Sequence, residues 1–280
     1  MGSLGWAVLL SLFSAAAYAG AAVAQERLAG RGLRGWSRWT TALLLTGTGA
    51  GLHVVALNFG TVAVVQALGT LTLLFALPIE VMRYRTPISR ASWRDAAMTV
   101  AGLALILSLS VKPDTPALLT DSAVRGLGLV TAGAVFACAA TGWRASPRRR
   151  AVLLAAASGT VFGIASVLSK AVLAAFTVGG PGAVPVTAAT LVVAFAVSGY
   201  LLGQLSYRGA GLAAPLATVS VTNPLVAGVA GMVLFGEGIR FGTVGAVLAA
   251  GAALVMGWGV VGLARRSAES STGVPAGSNR

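Results

Sequence analysis

The sequence predicts an all-α membrane protein, a polytopic helical bundle of about nine transmembrane helices, and three observations predict it. Of 280 residues, 56% are apolar and 10% are charged, and the mean hydropathy is +0.86. A soluble chain carries about a quarter charged residues and has no core large enough to hide so much apolar surface. The net charge of +13 is spread in short basic clusters between long uncharged runs. That is the pattern of membrane-flanking loops rather than of a nucleic-acid surface. Finally, nine segments supply the roughly 20 apolar residues that a helix needs to cross a bilayer: 4–25, 39–58, 61–82, 93–111, 123–142, 151–176, 183–204, 210–235 and 241–264.

The first segment contains AYA and AVA, which resemble signal-peptide cleavage sites. No basic residue precedes it, whereas Arg27, Arg31, Arg34 and Arg38 follow, so it reads as a retained helix. Alternating the loops puts sixteen basic residues on one side and three (Lys112, Arg125, Arg240) on the other, with Lys170 inside a span. The richer side is expected to be cytoplasmic, with the N-terminus outside and the C-terminus inside the plasma membrane. Trp36, Trp39, Trp93, Trp143 and Trp258 fall at the cytoplasmic helix ends and Trp6 at the outer one, as an interfacial belt does. Cys138 is the single cysteine, which excludes a disulfide framework and a cysteine metal cluster. The stretch after Arg266 is polar and small and reads as a disordered tail.

Residues 7–23 can be laid on 151–167, with Ala7–Leu10 on Ala151–Leu154, Ser14 on Ser158, Ala21 on Ala165 and Val23 on Val167. Residues 96–106 lie on 245–255 in the same order. The expected organisation is a first repeat (1–111), a linking helix with a basic loop (112–150), a second repeat (151–265) and a tail (266–280). An odd helix between two four-helix units inverts them relative to each other, an arrangement characteristic of secondary transporters.

The run YRGAGLAAPLATVSVTNPLVAGVAGMVLFGEGIRFGTVGAVLAAGAALVMGWG (207–259) resembles the C-terminal part of an EamA-type repeat of the drug/metabolite transporter superfamily. It has an Ala/Pro-rich helix, a mid-span proline, a GE at the helix end and a glycine-containing last helix. ALNFGTVAVVQALGTLTLLFALPIEVMRYR (56–85) is similar to the same unit in the first half, although RYRTP stands where the second half has GE. The resemblance implies a bundle that transports small metabolites or drugs. Nine spans instead of the usual ten are similar to the magnesium-transporter-like (NIPA-type) branch.

Ionisable groups inside a span default to function. Lys170 lies in the outer third of helix 6 with Ser166 one turn earlier. It reads either as a snorkelling side chain or as a cationic handle for a carboxylate-bearing substrate. Glu26, beside Arg27, is expected to form an interfacial ion pair; Glu80, one turn before Arg83, is the best candidate for proton coupling. His53 is a second candidate, with hydrogen-bonded packing as its plainer role. Glu237 is expected to serve loop structure only. The candidate substrate contacts are Tyr18, Gln66, Ser166, Lys170, Thr218, Ser220 and Asn223, near the prolines Pro215 and Pro224; helix–helix adhesion is the competing account of the uncharged ones. GTGAGL (47–52) follows no strand and is not a nucleotide loop; Gly47/Gly51 and Gly159/Gly163 have instead the spacing that lets helices approach closely.

These features point to a secondary transporter of a small solute working by alternating access, with a divalent-cation permease as the alternative. Hard cations want several oxygen ligands, and no carboxylate lies in the middle third of a span. An intramembrane enzyme would need more than one histidine, so no enzymatic activity, metal or cofactor is expected. The expected partners are the lipid bilayer and a small-molecule substrate, with a second copy of the chain as a candidate and no nucleic acid.

Overall fold

The computed structural model describes residues 2–29, 36–69, 71, 72, 75, 89–206 and 213–272. Among them are nine helices: α1 (Ser3–Ala29), α2 (Trp36–Phe59), α3 (Val62–Gly69), α4 (Arg90–Leu109), α5 (Asp121–Trp143), α6 (Pro147–Gly179), α7 (Val186–Ser206), α8 (Ala213–Phe235) and α9 (Gly242–Thr272). Two short strands, β1 (Ser110–Val111) and β2 (Gly238–Ile239), pair antiparallel, Ser110 opposite Ile239 and Val111 opposite Gly238. The protein is an all-α membrane bundle. Five described helices are long and apolar enough to cross a bilayer, at Ser3–Ala21, Asp121–Trp143, Arg149–Gly179, Val186–Gly203 and Gly242–Gly262. Leu43–Phe59 and Val221–Phe235 are shorter apolar helices.

Local signals place the helix ends. Ser89 and Thr120 cap α4 and α5 by accepting from Ser92 N (3.0 Å) and Ala123 N (3.3 Å). Pro147 opens α6, where its missing N–H costs nothing. α6 is followed by Gly180, whose φ of 73° suits glycine. α9 continues to Thr272, beyond Arg266, where the sequence suggested an unstructured tail; Arg265, Ala268 and Glu269 are good helix formers. Residues 273–280 lie outside the described ones.

Helix α6 is the centre of the bundle. It packs on α5, α7 and α8, and 67% of its apolar window is buried, against 11% for α5. One core joins its Val161, Ile164 and Leu168 to Val124 of α5 and to Ala188 and Phe195 of α7. A second joins its Val167 and Ala171 to Leu57, Val62 and Ala227. A third gathers Ala15, Val64, Leu68, Leu103 and Met256 from α1, α3, α4 and α9. The exposed faces are apolar too: Leu129, Val130 and Phe136 of α5 and Val247, Leu254 and Trp258 of α9 stand outward. Contiguous apolar surface of this kind needs lipid around it.

The first and second helix pairs of the two halves are fastened alike. Ser14 Oγ donates to Gly49 O and Ser158 Oγ to Gly199 O, each at 2.7 Å. A side chain at Gly49 would strike the Tyr18 ring, and one at Gly199 would strike the Phe162 ring.

Candidate functional site

The α2–α3 corner holds the densest polar construction in the described residues. α2 ends at Phe59, and Thr61 Oγ1 accepts from Val64 N at 3.1 Å to start α3. The Val62 N–H has no acceptor within its own helix. It donates to both carboxylate oxygens of Glu237, at 2.8 and 2.9 Å. Lys170 Nζ donates to that carboxylate and to Gly60 O (3.0 Å), with the Phe235 ring centroid 5.5 Å away. An anion thus sits at the N-terminus of α3 and a cation at the carbonyl end of α2, the signs both helix dipoles favour.

Small residues make room for this pair. Gly236 takes φ 64° directly after α8, so the chain turns back and returns Glu237 to the bundle. A Cβ at Gly231 would lie 2.6 Å from the Glu237 carboxylate, and one at Gly60 would lie 2.8 Å from the Cβ of Ala7. Lys170 is 5% exposed and Glu237 5%. Lys170 therefore does not snorkel, and Glu237 does more than shape a loop; both expectations are corrected by the proximity of two groups 67 residues apart.

Above the pair lies a cavity of about 190 Å³, lined by Asn58, Lys112, Asp114, Lys170, Thr177 and Phe235 among others. The β1–β2 pair and a bond from Arg240 N to Leu109 O (2.8 Å) pin its rim, and Lys112 Nζ donates to Asn58 O at 2.6 Å. Burial pushes the Lys112 amine below its ordinary value, the nearby Lys170 charge pushes it further, and Glu237 partly opposes them.

Of the other predicted residues, Ser166 and His53 come together one turn below Lys170: Ser166 Oγ donates to Phe162 O (3.1 Å) and lies 3.4 Å from His53 Nε2. Tyr18 packs on Gly49, about 16 Å along α1 from Ala7 at 1.5 Å per residue, away from the ion pair. Asn223 is about 18 Å along α8 from Phe235. Its backbone meets α6 at Gly159 and Gly163, where any side chain would collide. Gln66 Nε2, Asn223 Oδ1 and Ser11 Oγ are buried with no hydrogen-bond partner among the described residues. Thr218 is half-buried. The side chains of Ser220 and Glu26, and the whole of Glu80, lie outside the described residues. Among the described residues nothing lies within 4 Å of a Cβ placed at Gly47 or Gly51, whereas Gly49 packs against Tyr18 of α1.

Sequence reasoning passed over Glu237, Lys112 and Asp95. A GE step directly after a span, level with an intramembrane lysine, is the signal that could have found Glu237. Asp95, with a side chain 1% exposed, pairs with Arg94 (3.1 Å) and abuts Gly259 and Gly262 of α9. Among the described residues no group of three His, Cys, Asp or Glu could hold a metal ion.

No family model matches the chain, and no solved structure matches it. It is similar to an uncharacterised protein of Corynebacterium glutamicum, 27% identical over 256 residues that cover 88% of this chain and 82% of that protein.

Proposed function

We propose that the chain is a secondary transporter of a small solute, acting by alternating access between two inverted four-helix units, α1–α4 and α6–α9, joined by α5. The observation that carries this reading is the matched fastening of α1 to α2 and of α6 to α7. Ser14 and Ser158, aligned in the repeat, donate to glycine carbonyls on the next helix, and aromatic rings one turn on cover the same glycines. A hydrogen bond and a ring contact repeated at aligned positions support the repeat beyond the similarity of Ala- and Leu-rich helices. Inverted units place a solute site at their interface near mid-membrane. The unpartnered Gln66 and Asn223 atoms sit on α3 and α8, which run antiparallel there, with Gly231 over Val62 and Gly228 over Ala63. Buried polar atoms without partners are costly in an apolar bundle unless something else satisfies them, and a polar solute is a suitable occupant.

Two measurements test this. Comparing solutes in the culture medium with the gene deleted and overexpressed should reveal one that changes reciprocally; an unchanged medium under conditions where the protein is made would count against transport. In a Cys138→Ala background, Asn223→Cys should react with a small water-soluble thiol reagent, and the transported solute should slow that reaction. Absence of labelling in a transport-active variant would remove Asn223 from the pathway.

A further inference from the structure

The chain has two lysines beside eighteen arginines, and both line the cavity above the ion pair. Lys170 forms its floor and Lys112 its exposed rim. We propose that this cavity binds a small, singly charged carboxylate, with the Lys112 and Lys170 ammonium groups as its two cationic donors. Each ammonium has three N–H donors. Lys112 gives one to Asn58 O, and Lys170 gives its bonds to Glu237 and Gly60 O, which leaves donors at both ends of the cavity. Leu57, Ala174, Val178 and Phe235 supply an apolar wall for a short hydrocarbon chain. The volume of about 190 Å³ is far above what one water requires.

Charge limits the ligand. Asp114 lies on the same lining, and Glu237 lies directly behind Lys170. Two ammonium groups stand against two carboxylates, so the lining is formally neutral. One negative charge can lie nearest the ammonium groups, and a second has only the carboxylates left to face. A desolvated ammonium also interacts more strongly with an anion than one in bulk water, and Lys170 is nearly fully buried. The geometry thus selects organic monoanions over dianions. The step from binding to cargo rests on the transport reading; binding itself does not.

With two lysines in the chain, each amine can be followed separately. The full chain, purified in detergent, is acylated with a small water-soluble amine reagent at constant ionic strength, and the peptides carrying Lys112 and Lys170 are quantified by mass spectrometry. Propionate near saturation should slow Lys112 acylation by roughly threefold or more, while chloride and inorganic phosphate should not. Thr177→Asp, a change at an exposed lining position, adds a negative charge and should abolish the protection. The Lys170→Met/Glu237→Gln double variant should lose it as well. Equal rates in propionate and chloride overturn the proposal, as does equal protection by phosphate or protection that survives Thr177→Asp. If propionate protects but no carboxylate is transported in cells, the site stands and the step from binding to cargo falls. If protection is absent, this proposal falls while the transport reading keeps its own support.

Discussion

Lys170 and Glu237 lose their hydration together, and that cost is offset by their mutual pairing and by further partners, Val62 N on the carboxylate and Gly60 O on the ammonium. Removing one partner strands the other. Lys170→Met should lower stability by about 3–5 kcal/mol, read as a lower thermal midpoint in detergent. Adding Glu237→Gln should recover most of that loss, because the glutamine carbonyl still accepts from Val62 N. An unchanged midpoint in the single variant would mean that the pair is not holding the α2–α3 corner. Lys112 gives a pH prediction. Its amine should acylate at half-maximal rate below the ordinary lysine value of 10.5. Burial and Lys170 lower it and Glu237 raises it, in that order, so Lys170→Met should move the midpoint up, and the double variant should move it up less. Because the folded amine releases its proton at lower pH than the unfolded one, Lys112 makes stability rise with pH between the two values and adds no pH dependence below both. At this scale the sequence exposed half of the pair. Lys170 stood out as a charge inside a span, but Glu237 lies just beyond a helix end, and nothing local ties it to Lys170.

Helix contacts depend on rotation as well as spacing. Gly47/Gly51 and Gly159/Gly163 have the same four-residue interval, yet only the second pair is pressed against a neighbour. In α2 the contacting glycine is Gly49, about 200° around the helix from the other two at 3.6 residues per turn. A spacing motif says that two residues share a face and says nothing about which face meets a partner. Gly163→Val should therefore push α6 from α8 at Asn223, with a loss of about 1–3 kcal/mol typical of overpacking. Gly51→Ala, into open space, should be neutral or slightly stabilising, since alanine is the better helix former. Thermal midpoints of the two variants in detergent check this, and equal losses would mean that α2 is rotated from the position described. The corner at Gly60–Thr61 was hidden for a related reason. Apolar runs on either side, 39–58 and 61–82, predict where helices lie, whereas the carboxylate that receives α3 comes from the other half of the chain.

At the scale of the whole molecule, the helical membrane bundle was legible because composition and run length alone dictate it. The pairing of α4 with α9 and of α3 with α8 was not, since apolar helices carry little information about their neighbours. Orientation is a separate question, on which charge and geometry bear independently. Lys112 and Arg240, two of the three basic residues assigned outside, meet at one end of the bundle, where Lys112 reaches Asn58 O and Arg240 N reaches Leu109 O. The arginine cluster lies at the opposite end, with Arg144 just after α5 and Arg148, Arg149 and Arg150 in the first turn of α6. Helix α5 separates Lys112 from that cluster with 23 residues, about 35 Å at 1.5 Å per residue, a full bilayer core. If the arginine-rich loops are retained in the cytoplasm, the cavity is expected to open outward and the C-terminus to lie inside. Green fluorescent protein fused after Arg280 should fluoresce in cells, whereas alkaline phosphatase fused there should be inactive. The same phosphatase inserted after Asp114 should be active. A reversed pattern at both positions would turn the molecule over and make the lysine-lined cavity cytoplasmic. A phosphatase active at both would give an even number of crossings between Asp114 and the C-terminus, and the inversion of the two four-helix units would fall with it.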